Sequence, residues 1–439
     1  MALGTEYILD ERKAHRYDKK IIILKQRMLI IFNTITGFLI LSYRPDEITF
    51  EENYLILGAG AIVFLIFCFV LTSVVYKKSC HLLWNGVFFL LSVSFIMLTR
   101  LNYESARKQI LWAFLGMIFA FVIPLVFTKI KDLQKFKLVY LVTGLILVIL
   151  PLIIGNVTHG ALNWITIGPV RFQPSEVVKI LFVFYFAVVF SEKLTLKQLI
   201  LPIIIGAAFV LILVVETDLG GALIFFITFV IMMYVSTGNE FLFFLSLSAF
   251  SGASFIAYKI FDHIKVRVAA YLNPWADFFG KGNQILHSLF SIYTWGLLGS
   301  GLTRGMPNRV PVVDSDFILA AIGEEFGIIY MVCIMGIYTF VYYRGINISL
   351  RCKSKFYSLI ALGLSTILVF QAFLIMGGVI KFIPLTGVTL PFVSYGGTSV
   401  LISIIMIGIL QTIFSVGQKE EIPLESEPKT KGDFSEYVA

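Results

Sequence analysis

Charge is scarce in this chain: Asp, Glu, Lys and Arg together supply 14% of its 439 residues, against about 25% in an ordinary soluble domain. A water-soluble globule of this size is thereby excluded, because too little polar surface is available to cover it. Cysteine is scarce as well. The four residues Cys68, Cys80, Cys333 and Cys352 form no CxxC pair, which argues against a disulfide framework and a zinc-thiolate site. Five scattered histidines argue against a histidine metal centre. No GxxxxGK[ST] loop occurs, so nucleotide-driven chemistry by this chain alone is not expected. The first twenty residues are strongly charged and lack an apolar core segment, so no cleavable signal peptide is expected. The net charge of +8 suits a protein resting on anionic lipid, and neither nucleic acid nor an organic cofactor is expected.

What the chain has instead is apolar length. Hydrophobic residues make up 58% of it, Phe alone contributes 42, and the mean hydropathy is +0.89. The runs Leu55–Tyr76, Leu82–Thr99, Gln109–Thr128 and Phe241–Phe261 each approach the ~20 residues that carry a helix across a ~30 Å hydrocarbon core. Within such runs the backbone must satisfy its own hydrogen bonds, which leaves helices. The expected fold is an all-α polytopic membrane protein with about twelve spans, near 24–43, 54–76, 81–99, 109–128, 137–155, 177–191, 199–215, 220–236, 241–261, 317–343, 356–380 and 397–417. Dense basic clusters at Arg12–Arg27, Lys129–Lys137 and Arg344–Lys355 place both termini in the cytoplasm and a long 262–316 loop outside. The Glu/Lys-rich tail after 418 reads as a mobile cytoplasmic end.

Function in such a protein is read from polar groups kept where they are costly. Four stretches qualify, all on the expected outer side. In Asn163–Lys179, Pro174 suits the first turn of a helix, after which Glu176 and Lys179 are spaced to pair on one face. They serve as a packing ion pair, or they hold Lys179, with Arg171 just outside, toward an anionic ligand. At Glu216–Gly221 the acids are solvated turn charges, or Asp218 caps the next helix. In the long loop, Arg267, Asp277 and Lys281 alternate with Val266, Tyr271 and Trp275 as suits an interfacial segment; Asp314 and Asp316 then stand at the lip of a span that carries Glu324 and Glu325. Finally, Lys381–Ser399 holds two prolines and three glycines and cannot be a regular helix, which fits a cavity wall or a reentrant plug.

These strings also identify a family. NWITIGPVRFQPSEVVK, ETDLGGA, RVAAYLNPWADFFGKGNQ, VDSDFILAAIGEEFG and IPLTGVTLPFVSYGGTS occur in this order and resemble the SEDS proteins of shape, elongation, division and sporulation, the RodA, FtsW and SpoVE group. The resemblance runs from about Arg100 to about Val416. It implies a ten-span core at 81–417 including the 262–316 loop, preceded by a 1–23 cytoplasmic segment and two extra spans at 24–80, and followed by a 418–439 tail. It further implies a peptidoglycan glycosyltransferase acting on lipid II with a class B penicillin-binding protein as partner, in the plasma membrane. Asp316 matches the family's catalytic aspartate, and Arg171, Gln173, Glu176 and Lys179 match its PSE helix. Asp218 matches the acid of its PDLG-like turn, and Arg100 an arginine near the end of the first core span. Departures occur at Glu216-Thr217, where Gln-Pro is usual, at Thr294-Trp295-Gly296, and at Asp314, where many members carry histidine.

The implied reaction joins two lipid-anchored saccharides. An acceptor hydroxyl attacks the donor's anomeric carbon and displaces undecaprenyl pyrophosphate. Asp316 is the candidate general base. Arg171, Lys179, Arg267 and Lys381 are candidates to meet the leaving diphosphate, with Mg²⁺ or Mn²⁺ as a candidate bridging cation. The alternative is a lipid II flippase, which would carry polar residues through the bilayer to the cytoplasmic side; a noncatalytic scaffold would not depend on Asp316.

Overall fold

The computed structural model of the chain describes residues 2–44, 49–76, 80–130, 132–158, 161–168, 170–280 and 282–419. The expected mobile tail lies outside them from residue 420 on, as does Lys281. Twelve helices stand where the apolar runs predict spans: α1 (Ala2–Ser42), α2 (Glu52–Val75), α3 (His81–Leu101), α4 (Tyr103–Lys129), α5 (Lys137–Ile154), α6 (Pro174–Ser191), α7 (Ile200–Val215), α8 (Leu219–Thr237), α9 (Glu240–Ile260), α12 (Ile318–Arg351), α13 (Lys355–Val379) and α14 (Gly397–Lys419). Eleven of them contain a stretch of at least 18 residues apolar enough to cross a membrane, and α7, with 16 residues, is the shorter exception. The protein is a multi-pass membrane protein. The long loop contributes two further helices, α10 (Asp262–Leu272) and α11 (Asn283–Thr294).

Local sequence sets several helix starts. Asn102 accepts from the Ser105 amide at 3.2 Å at the head of α4, and Asn239 accepts from Leu242 at 3.2 Å at the head of α9. Burial then sorts the helices. The apolar window of α13 is 89% buried and that of α9 is 0% buried, so α13 runs through the middle of the bundle while α9 lies at its periphery. Between them Phe182, Phe186, Phe209, Phe225 and Phe229 interlock edge to face. Polar side chains join α1 to α3: Arg27 donates to Asn85 at 3.3 Å, Asn85 donates to Gln26 at 2.9 Å, and Thr34 bonds Ser92 at 2.8 Å.

Two features depart from the expected all-α architecture of unbroken spans. First, residues before α6 form an antiparallel sheet, β3 (Asn156–Thr158), β4 (Ala161–Ile167) and β5 (Val170–Phe172), after a small hairpin of β1 (Tyr43–Arg44) and β2 (Thr49–Phe50) between α1 and α2. Gly168, at φ +59, opens the turn that pairs Ile167 with Val170. Second, the span expected at 317–343 belongs to a helix broken at Gly327, where φ is 84 and ψ 173. The end of the long loop enters this break. Ser300 and Gly301 donate their amides to the Glu324 and Glu325 carbonyls at 2.8 and 2.9 Å, and Ile328 donates to the Gly296 carbonyl at 3.3 Å. The backbone groups freed by the break are thereby satisfied, as membrane depth requires. Only glycine fits at 327, since an added Cβ would meet the Leu297 carbonyl oxygen at 2.2 Å.

Candidate active site

One end of the bundle brings together the start of α4, the β4–β5 turn, the heads of α6 and α8, helix α10, and the irregular stretch between α13 and α14. They enclose a cavity of about 1270 Å³. Arg171, Gln173, Glu176, Lys179, Asp218, Arg267 and Asp316 all line it, although they are spread over nearly 150 positions of sequence.

All of these but Arg171 have neighbours that hold them. Pro174 starts α6, which turns Glu176 and Lys179 inward, 4% and 3% exposed. Lys179 Nζ donates to Glu176 Oε2 and to Gln371 Oε1 of α13, both at 2.8 Å. Gln371 in turn donates to the Thr389 carbonyl at 2.8 Å, so one buried network ties α6 and α13 to the irregular stretch. Asp218 caps α8 by accepting from the Gly221 amide at 2.8 Å, while its other oxygen accepts from Asn163 and Gln173, both at 3.4 Å. The structural and site readings of Asp218 thus coincide.

Arg267 reaches into the cavity from α10 and donates to the Leu385 carbonyl at 3.2 Å. Burial pushes its guanidinium below the ordinary value, and the nearby carboxylates of Asp218 and Asp316 oppose that shift. Asp316 faces Arg267 across Gly387. A Cβ placed on Gly387 would lie 3.8 Å from Arg267 Nη2 and 3.9 Å from Asp316 Oδ2. The glycine, at φ +74, therefore sits within contact distance of both the acid and the cation. Asp316 Oδ1 accepts from the Ser315 hydroxyl at 3.1 Å, and the Ser315 carbonyl accepts from the Ser394 hydroxyl. Asp314, two residues earlier, lines the same cavity, and its carboxylate accepts from the Ser105 hydroxyl at 3.3 Å.

Arg100 and Lys381 are not brought to this wall. Arg100 donates to Glu325 Oε1 at 3.1 Å and to the Gly305 carbonyl at 3.2 Å, clasping the inserted loop to the broken helix. Lys381, at φ +58, sits in the turn that follows α13. The structure adds Lys108, Tyr395 and Gln371. Gln371 had a signal in sequence, as a lone amide within an apolar span. Lys108 and Tyr395 gain their position only from packing.

Glu216, in the turn between α7 and α8, is fully buried, and neither of its carboxylate oxygens has a hydrogen-bond partner among the described residues. Burial, and then the charge of Asp218, push its pKa from the ordinary 4.5 up to about 8. The folded chain therefore keeps a proton that the unfolded chain loses. Stability is untouched by this group below pH 4.5, falls as pH rises, and levels off above about 8. Glu216→Gln is expected to flatten that decline when unfolding midpoints are compared across the window; a wild-type slope in the variant would reject the assignment.

Residues 73–419 match the profile of the FtsW, RodA and SpoVE cell cycle proteins. Among curated relatives, the peptidoglycan glycosyltransferase RodA of Mycobacterium tuberculosis is 35% identical over 352 residues, covering 75% of this chain and 74% of its own. Stage V sporulation protein E of Bacillus subtilis is 33% identical over 322 residues, covering 70% and 86%. Among solved structures, a chain of a peptidoglycan synthase complex that coordinates polymerization and crosslinking superposes with a TM-score of 0.68 at 24% identity, covering 78% of this chain and 99% of its own. Helix α1 and nearly all of α2 precede the matched region, which begins at residue 73. The family match takes in every helix from α3 to α14, and the chain belongs to the SEDS family of FtsW, RodA and SpoVE.

Proposed function

We propose that the chain is a peptidoglycan glycosyltransferase that polymerises lipid II at the outer face of the plasma membrane, with both termini cytoplasmic. The observation that carries this reading is the pairing of Asp316 and Arg267 beside Gly387, an acid and a cation lining one cavity. The relatives named as peptidoglycan glycosyltransferases support the reaction class.

In this reading the acceptor's N-acetylglucosamine 4-hydroxyl enters that space. Asp316 takes its proton as the oxygen bonds to C1 of the donor's N-acetylmuramic acid and the bond from C1 to the diphosphate oxygen breaks. The leaving diphosphate departs as a stabilised anion, so the second carboxylic acid of a glycosidase is not required. Arg267 meets the charge that develops on it, and Gln173 holds Asp218 so that Arg267 keeps its direction. Lys179, neutralised by Glu176, fixes the floor of the cavity. Arg100 supports the wall from behind through Glu325. Lys381 is left to the rim, within reach of lipid headgroups. Leu111 and Leu115 of α4 line the cavity and are also exposed on the flank of the bundle, which opens the site sideways to a polyprenyl chain. Confinement of both substrates to the membrane supplies much of the required proximity.

Among the described residues no group of three or more His, Cys, Asp and Glu side chains is placed to hold a metal ion. Asp218, Asp314 and Asp316 line the cavity, and Mg²⁺ or Mn²⁺ shared between one carboxylate and substrate phosphate is the usual mode of Mg²⁺. Asp316 or Asp218 would hold it, and the cation would supply positive charge to the diphosphate when bound.

The partner in this reading is a crosslinking enzyme, a class B penicillin-binding protein; the synthase complex among the structural relatives supports the pairing. Purified protein with that partner is expected to convert lipid II into glycan strands, resolved on a gel. Transfer of labelled lipid II across liposomes with no polymer formed would instead establish a flippase.

A further inference from the structure

Residues 390–394, between α13 and α14, are buried and belong to neither helix nor strand, so their carbonyl groups need partners from elsewhere. Three fully buried side chains of the neighbouring helices supply them. Tyr338 of α12 donates to the Pro391 carbonyl, Ser94 of α3 donates to the Val393 carbonyl at 2.8 Å, and Gln109 of α4 donates to the Ser394 carbonyl at 2.9 Å. Gln109 also donates to Ser94 Oγ at 3.3 Å and accepts from the Gly396 amide at 3.5 Å. Both ends of its side-chain amide are thereby used, nitrogen toward acceptors and oxygen toward a donor. The same stretch holds Phe392, fully buried at φ +66, a conformation that such a residue keeps only where its surroundings impose it.

The stretch so gripped in turn grips the segment that carries the acid. The Ser394 hydroxyl donates to the Ser315 carbonyl while accepting from the Leu390 amide at 2.9 Å, and the Tyr395 amide donates to the Asp314 carbonyl at 2.9 Å. Asp316 follows Ser315 directly, and its Oδ1 accepts from the Ser315 hydroxyl at 3.1 Å. A line of hydrogen bonds thus runs from Gln109 through Ser394 and Ser315 to Asp316. Gln109 does not line the cavity, whereas Ser105 and Trp112 of the same helix do, so its influence on the reaction passes through other groups. It also lies outside all five motif strings of the sequence. We infer that Gln109 is a positioning residue for glycosyl transfer: its grip on Ser394 fixes the Ser315 carbonyl, and so the direction in which the Asp316 carboxylate meets the acceptor hydroxyl. This inference rests on the polymerase reading with Asp316 as base. A misplacement of about 1 Å is enough to cost about 10²-fold in rate.

The test measures lipid II polymerisation by the full-length protein with its crosslinking partner, as kcat and KM, in wild type, Gln109→Met, Asp316→Asn and the double variant. Methionine keeps the length of glutamine and removes its hydrogen bonds. Gln109→Met is expected to lower kcat about 10- to 100-fold. KM is expected to change less than about twofold, because the base moves while the charged walls of the cavity stay in place. In the Asp316→Asn background the same change is expected to cost less than about twofold, since an absent base cannot be mispositioned. A merely structural role would instead lower both backgrounds by the same factor. Ser394→Ala cuts the line one step nearer the base and is expected to give the same pattern; it carries the test alone where Gln109→Met shows no thermal unfolding transition. Wild-type kcat in both variants, or equal losses in the two backgrounds, would overturn the positioning role. Failure of the polymerase reading shows separately, as no polymer from wild type or full activity in Asp316→Asn, and takes the positioning role with it.

Discussion

Asp316→Asn is expected to lower the rate of lipid II polymerisation about 10²–10⁴-fold, the range over which a positioned general base contributes, while the protein still folds and still binds its partner. The carboxamide keeps the shape of the side chain and can still accept from the Ser315 hydroxyl, which lies 3.1 Å from Asp316 Oδ1. What it loses is the capacity to take a proton and the negative charge that faces Arg267. Asp314→Asn is the control that decides between the two acids. Asp314 is held by Ser105 and is not among the nearest atoms to the Gly387 Cβ position, which are those of Arg267 and Asp316, so its amide is expected to cost less than tenfold. Glycan length distributions and thermal midpoints, measured on the same preparations, separate chemistry from folding. Full activity in Asp316→Asn, or silence in Asp314→Asn with Asp316 intact, would move the base elsewhere.

Much of this arrangement is legible in the sequence. Span positions follow from apolar length, because hydrocarbon thickness admits few alternatives, and twelve helices stand close to the twelve runs. Pro174 announced the start of α6, and the i, i+3 spacing announced the pair of Glu176 and Lys179, because both are local effects of helix geometry. The break at Gly327 was not legible. Its cause is a loop some thirty residues earlier in the chain, whose Ser300 and Gly301 amides replace the missing helical bonds, and no local pattern encodes a non-local partner. The β3–β5 sheet was hidden for a related reason. A polar stretch between spans reads as loop unless strand pairing is known, and its strands are only three to seven residues long.

The site was legible in part, and the division has a physical basis. Residues whose chemistry is unusual for their depth, such as Lys179 and Asp218, declare themselves through cost. Arg100 carried the same signal, yet its cost is met by Glu325 behind the wall. A buried charge thus announces that a partner exists without saying whether the partner is protein or ligand. Lys108 shows the converse. At the border of a span a lysine is unremarkable, and only the convergence of α4, β5 and the Asp314 segment makes it part of a site.

The largest effect on stability is expected from the network beneath the cavity. Lys179 and Glu176 pair at 2.8 Å with side chains 4% and 6% exposed. Lys179→Met removes the cation and leaves Glu176 as a buried, uncompensated carboxylate, with the Gln371 oxygen also stripped of its donor. Breaking such a pair from one side costs about 3–5 kcal/mol. Replacing both members by apolar groups of similar size, Lys179→Met with Glu176→Leu, is expected to recover most of that loss, because no charge then remains unpaired. A double-mutant cycle on unfolding free energies in mixed micelles would report the coupling directly. Activity is expected not to follow stability. Gln371 also donates to the Thr389 carbonyl, and Thr389 belongs to the irregular stretch that carries Gly387 and sets the gap between Asp316 and Arg267. The double variant should therefore fold well and polymerise poorly, since Gln371 would turn its free oxygen toward another donor and release the stretch. If Lys179→Met alone costs less than about 1 kcal/mol, the pair is solvated in the working protein, and the floor of the cavity is open to water.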